Sequence, residues 1–188
     1  MRRPDMTLRL VPIVVVAACG ARPVAPPRAA AAPAPSPGSE DRFGPLEVGA
    51  DYRSYRKLTD HPFLSLDHGN LWVDVYVNAI GADAYLRGDD VPVGTTIIKT
   101  SWPDDHGRPA AVTGPLYVMQ KRAPGYDPAH GDWYYAIWWP DPPPEAAPKF
   151  TGPSYWRGKS PKIAFCAHCH DSFDHSLGGL TPSSALPR

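Results

Sequence analysis

Leu71, Val73, Val75 and Val77 alternate with Trp72, Asp74, Tyr76 and Asn78. A period of two predicts a strand over 71–78 with one face in a core. Ala79 to Arg87 then reads as a helix, ended by Gly88. Gly94 to Trp102, rich in β-branched residues, predicts a second strand. Leu116 to Arg122 predicts a third, and Trp133 to Trp139, almost wholly aromatic or apolar, a fourth. Asp51 to Leu58 reads as a short helix with Tyr52, Tyr55 and Leu58 on one side. Turn signals lie between these elements: Gly107-Arg108-Pro109, Pro124-Gly125 and His130-Gly131-Asp132. Pro140 to Pro148 holds five prolines in nine residues and predicts a loop. No internal repeat is present. The pattern predicts a mainly β (α+β) fold, an antiparallel sheet with a few short helices packed on it.

The first forty residues follow another pattern. Arg2, Arg3 and Arg9 precede the apolar run Leu10 to Ala18, the layout of a signal peptide. Nine apolar residues fall short of the ~20 that a membrane-spanning helix needs. Gly20 to Gly38 follows with seven alanines and six prolines, a composition that suits a stiff, solvated spacer. All 20 aromatic residues fall from Phe43 onward. The expected organisation is a signal peptide at 1–18, an anchor cysteine with an Ala/Pro-rich linker at 19–42, and a folded domain at 43–188. Val16-Ala17-Ala18-Cys19 resembles the lipobox of bacterial lipoproteins, in which the cysteine carries the lipid. That resemblance implies a protein on the periplasmic side, anchored to a bacterial membrane, the outer one, through Cys19. The alternative is ordinary cleavage after an Ala-x-Ala-type site, which gives a soluble periplasmic protein.

Composition sharpens this division. The 188 residues carry 19 basic and 19 acidic side chains, a balance that argues against a nucleic-acid partner. Without residues 1–18 the balance becomes 16 against 18. The chain has 25 prolines, and eight of them belong to the signal and spacer.

One motif carries chemistry. Cys166-Ala167-His168-Cys169-His170 is C-x-x-C-H, the attachment signature of c-type haem. Two thiols one helical turn apart suit thioether bonds to the two haem vinyl groups. The histidine that follows suits the proximal position on iron. The motif thus assigns Cys166 and Cys169 to haem attachment, His170 to the iron and His168 to the spacer, and it predicts a single haem. Three other readings compete: a Cys166–Cys169 disulfide, a zinc site that draws in nearby histidines, and a thioredoxin-like redox pair.

On the far side of the iron, Met119, His61, His68, His106, His130 and His175 are the candidates for a sixth ligand. An open position would instead make a catalyst or a gas binder. The histidines sit in turn-like contexts, and Met119 in a strand reads equally as core. Lys99 shares a strand face with Ile97, and pattern alone favours an edge-strand charge.

The domain resembles the cytochrome P-460 family. The resemblance rests on His68-Gly69-Asn70-Leu71-Trp72-Val73-Asp74-Val75-Tyr76-Val77-Asn78, Ala82-Asp83-Ala84-Tyr85, Pro92-Val93-Gly94-Thr95 leading to Lys99, and Gly114-Pro115-Leu116-Tyr117-Val118-Met119-Gln120-Lys121. It continues through Gly131-Asp132-Trp133-Tyr134-Tyr135 to the C-x-x-C-H. It implies a homodimer with haem c against an antiparallel sheet, oxidation of hydroxylamine or reaction with nitric oxide, and electrons passed to a soluble cytochrome. It also implies a lysine joined covalently to the porphyrin, and Lys99 stands at that place. Thr100 follows where the family often has glutamate. The related cytochrome c-prime-beta branch lacks the lysine link and binds nitric oxide without turnover, which leaves a gas-binding or electron-transfer role as the alternative. Asp132, Asp74 and Lys121 are the candidates for an acid–base group.

Overall fold

The computed structural model describes residues 40–146 and 150–180. The signal-like run, Cys19 and the spacer lie outside the described residues. Among the described residues no helix is long and apolar enough to cross a membrane.

The strands are β1 (Arg56–Lys57), β2 (Phe63–Ser65), β3 (Leu71–Val77), β4 (Thr96–Pro103), β5 (Leu116–Lys121), β6 (Trp133–Trp139) and β7 (Ser154–Arg157). The helices are α1 (Ala82–Arg87) and α2 (Ala164–His170). All seven strands form one antiparallel sheet in the order β1-β3-β4-β5-β6-β7, with β2 also paired to β3. The mainly β, antiparallel expectation is therefore observed.

Both faces of the sheet are covered, which explains why β6 reads as a nearly continuous apolar run. On one face Val75, Val77, Ile97, Met119, Tyr135 and Ile137 pack against Tyr85 of α1 and Ile163 and Ala167 around α2. On the other, Ile98, Leu116, Val118, Tyr134, Ala136 and Tyr155 are covered by Tyr52, with Leu46, Val48 and Tyr55 beside it. Ile97 and Ile98 are almost fully buried on opposite faces. Each contributes roughly 1.5–3 kcal/mol of burial.

Asn78 ends β3. Its side-chain amide donates to the Gly94 carbonyl at 2.9 Å and its oxygen accepts from Thr96 N at 3.1 Å. This ties the turn before α1 to the start of β4 and delays the helix to Ala82. α1 closes on Gly88, whose φ of 71° is left-handed.

Two expectations are corrected. Asp51–Leu58 is not one helix but a 3-10 turn at Tyr52–Ser54 followed by β1. The open edge of β3 offers Arg56 and Lys57 a ladder opposite Val77 and Tyr76, and tertiary pairing overrides the local pattern. Lys99 is no edge charge. β4 lies between β3 and β5, Lys99 faces Val75 and Tyr117 across the two ladders, and it is 5% exposed.

Candidate functional site

The C-x-x-C-H segment is built by the turn before it. Ser160 caps a 3-10 turn at Pro161–Ile163, its hydroxyl accepting from Lys162 N, and the chain then winds into α2. On this short helix Cys166 and Cys169 stand one turn apart, and both are free thiols. Ala167 and His170, at the same spacing, are the buried positions.

His170 Nδ1 donates to the carbonyl of Ser176 at 2.8 Å. A carbonyl only accepts, so the proton sits on Nδ1 and leaves Nε2 with a free lone pair. Burial, with help from the Lys99 charge, pushes the His170 imidazole down to about 4, so it is neutral at pH 7.

One cavity gathers these groups. Cys166, Cys169, His170, Phe165 and Phe173 line it from α2 and the turn beyond. Ile97, Lys99, Tyr117, Met119 and Tyr135 line it from the sheet, and Phe63, Ser65, Asp67 and His68 from the β2–β3 hairpin. Phe63, Ile97, Met119, Phe165 and Phe173 make much of the wall apolar. The Tyr135 ring lies 5.5 Å from the His170 ring, and the Tyr135 hydroxyl is buried without a partner among the described residues.

The polar end of the cavity is a chain of contacts. Ser65 Oγ lies 2.7 Å from His68 Nδ1, and His68 Nε2 lies 3.4 Å from Lys99 Nζ. Tyr117 OH donates to the His68 carbonyl at 3.0 Å. Burial brings the Lys99 amine down to about 8, against an opposing pull from Cys169, Asp67 and Cys166. Burial first, then the Lys99 charge, takes His68 to about 2. Burial pushes the Cys166 thiol up to about 12 and also raises Cys169. The cavity therefore disfavours charge on each of these groups.

Of the candidates read from sequence, Cys166, Cys169, His170, Lys99, His68 and Met119 meet here. The others do not. His61 and His106 are exposed, and His130 and His175 pair with Asp171 and Asp90 at 2.7 and 2.6 Å. His168 is exposed and stacks edge-on against His130. None of the three acid–base candidates lines the cavity. Asp74 points to the opposite face, held by Thr59 at 2.8 Å and Lys57 at 2.9 Å. Asp132 accepts from Gly125 N and Asp127 N in a turn. Lys121 donates to the Gly131 carbonyl. Sequence reasoning missed Ser65, Asp67, Tyr117 and Tyr135 as cavity residues. The turn residues Asp67-His68-Gly69-Asn70, directly before the clearest strand, were the available signal for Asp67. Among the described residues no group of three or more His, Cys, Asp or Glu stands together as a metal-ion site. The all-antiparallel sheet lacks the βαβ unit of a thioredoxin-like pair.

No curated protein matches the chain. The family model Cytochrome P460 matches residues 50–176, from just before the 3-10 turn to the residue that accepts the His170 proton. The chain belongs to the cytochrome P460 family of haem-binding cytochromes.

Proposed function

We propose that this protein is an exported mono-haem c-type cytochrome that oxidises hydroxylamine, or reacts with nitric oxide, in the cavity that His170 lines. The observation that carries the reading is the meeting of His170, with Nδ1 engaged and Nε2 free, two free thiols and the buried Lys99 amine in one cavity. The residues present fit a covalently held haem. Cys166 and Cys169 supply the thioether sulfurs, His170 Nε2 the iron ligand, and the unpartnered Tyr135 hydroxyl suits a polar group brought by the ligand. Bound there, haem would supply a redox-active iron able to take up electrons from a small nitrogen-containing substrate.

The chain's own residues do the rest. Ser176 fixes the His170 ring and its tautomer, as an outer partner does for a metal-bound imidazole. The apolar wall limits water at the reacting centre. Asp67, which lines the cavity, replaces Asp132, Asp74 and Lys121 as the group that takes the substrate proton. Lys99 would carry the covalent link to the porphyrin, one lever on haem reactivity. A soluble cytochrome accepts the electrons, and two copies of the chain work as a homodimer. Cys19 carries a lipid that holds the domain on the periplasmic side of the outer membrane, and a Cys19→Ser chain is expected in the soluble periplasmic fraction.

The test is the ferrous absorption spectrum together with hydroxylamine-dependent reduction of a soluble acceptor. A strongly red-shifted Soret band with turnover supports the reading. An ordinary high-spin c-type spectrum, nitric oxide binding and no turnover would mark a gas binder of the c-prime-beta kind. A low-spin spectrum would mark an electron carrier with His68 or Met119 on iron.

A further inference from the structure

Among the described residues Lys99 is the one lysine that lines the cavity, and its position is not left to its own flexible stem. The hairpin between β2 and β3 turns through Leu66–Asn70, with Gly69 N bonded to the Leu66 carbonyl at 3.1 Å. Gly69 and Asn70 have φ of 84° and 60°, the left-handed values that glycine and asparagine tolerate. This turn carries His68 over the cavity. Three contacts then fix the histidine: Ser65 Oγ at Nδ1, the Tyr117 hydroxyl on its carbonyl, and the Tyr117 ring edge-on at 4.8 Å. Ser65 is 4% exposed, and Tyr117 is the direct cross-strand partner of Lys99. The remaining ring nitrogen, Nε2, meets Lys99 Nζ. Across the cavity, Gly178 leaves open the space a Cβ would fill about 3.5 Å from the same amine.

We propose that Ser65 and His68 are positioning residues that set where the Lys99 amine sits in the cavity, and that its link to haem depends on them. The geometry serves both protonation states. With Lys99 as an ammonium, Nε2 accepts its proton and Nδ1–H donates to Ser65 Oγ. With Lys99 as an amine, Nε2–H donates to it and Ser65 Oγ–H donates to Nδ1. A lysine stem has four rotatable bonds, and a fixed acceptor at its tip removes most of its alternatives. The inference rests on the reading that Lys99 is joined to the porphyrin. That link replaces one N–H and one porphyrin C–H by a C–N bond. Two protons and two electrons leave, and a peroxide takes them up as it is reduced to two waters.

The experiment measures the haem-bearing protein by intact and peptide mass spectrometry and by its ferrous spectrum, in wild type, Ser65→Ala, His68→Leu and His68→Gln. Expected are full thioether attachment in all four and a fall of at least about tenfold in the Lys99-linked fraction in Ser65→Ala and His68→Leu, with loss of the red-shifted band. His68→Gln, whose amide oxygen reaches the place of Nε2, restores much of the link. Equal Lys99-linked fractions in wild type and the two disabling variants overturn the proposal. Wild type with both thioethers and no Lys99 link overturns the reading that Lys99 joins the porphyrin, and with it the positioning role of Ser65 and His68. If His68→Leu holds no haem, Ser65→Ala decides alone, since it removes one hydroxyl and leaves the hairpin intact.

Discussion

His170 donates its Nδ1 proton to the carbonyl of Ser176 across 2.8 Å, and that carbonyl is aimed by a backbone that most residues avoid. Ser176 and His175 both have left-handed φ, 59° and 54°. Such a conformation costs an L-residue roughly 1–2 kcal/mol. The turn is held by Asp90 on His175 at 2.6 Å and by His170 itself. Ser176→Gly keeps the carbonyl and relieves the strain, partly offset by the looser unfolded chain. A gain of about 0.5–1 kcal/mol is expected in denaturant unfolding, with the haem spectrum unchanged. Ser176→Pro imposes φ near −65° and removes an N–H that bonds the Phe173 carbonyl. It should lower stability and change the spectrum, because His170 loses its orienting acceptor.

Lys99 gives a pH dependence whose sign follows from its burial. The folded-state amine titrates at about 8, against 10.5 for a lysine in water. Between those values the unfolded chain binds the proton and the folded chain does not, so stability from this group rises with pH from about 8 to 10.5. Below about 8 the buried ammonium costs on the order of 3 kcal/mol. Apoprotein with Lys99→Met should therefore be more stable than wild type at pH 7, and the difference should close by about pH 10.5. Equal stability at pH 7 would mean that the His68 contact fully offsets the lost hydration.

Much of this was legible in the chain, for reasons visible in single residues. The alternation in β3 survives because one register of a covered sheet is strongly specified. β6 was readable by its length and aromatic content. The C-x-x-C-H segment carries its spacing wherever it lies. What stayed hidden depends on pairing at a distance. β1, β2 and β7 span two to four residues each and exist because β3 and β6 offer edges. Lys99 looked like an edge charge because strand order cannot be read from periodicity. Asp74 looked available because alternation gives its parity, not which face holds the cavity.

Asp74 supplies a test of that last distinction. It is 4% exposed, accepts from Thr59 and pairs with Lys57 on the face away from the cavity. Thr59 Oγ1 in turn accepts from Val75 N at 3.3 Å. Asp74→Ala leaves buried polar partners unsatisfied, which costs about 1–3 kcal/mol. Denaturant unfolding should register that loss, while the haem spectrum and the turnover per haem stay within about twofold of wild type. A loss of turnover with stability intact would return Asp74 to the chemistry.

The two cysteines separate the haem reading from its competitors. Both thiols line the cavity on one helical turn, and burial keeps them protonated at neutral pH. Cys166→Ala and Cys169→Ala should each retain haem through one thioether after denaturation, and the double variant made together with Lys99→Ala, so that no lysine link holds the porphyrin, should release all of it into acidified organic solvent. In the denatured single variants the alkaline pyridine spectrum should shift to the red, because one vinyl group stays conjugated. A disulfide or zinc role gives a different set of outcomes. Wild type would then carry no haem mass, would lose two hydrogens on oxidation or bind zinc in proportion to chain, and either single variant would abolish that behaviour completely.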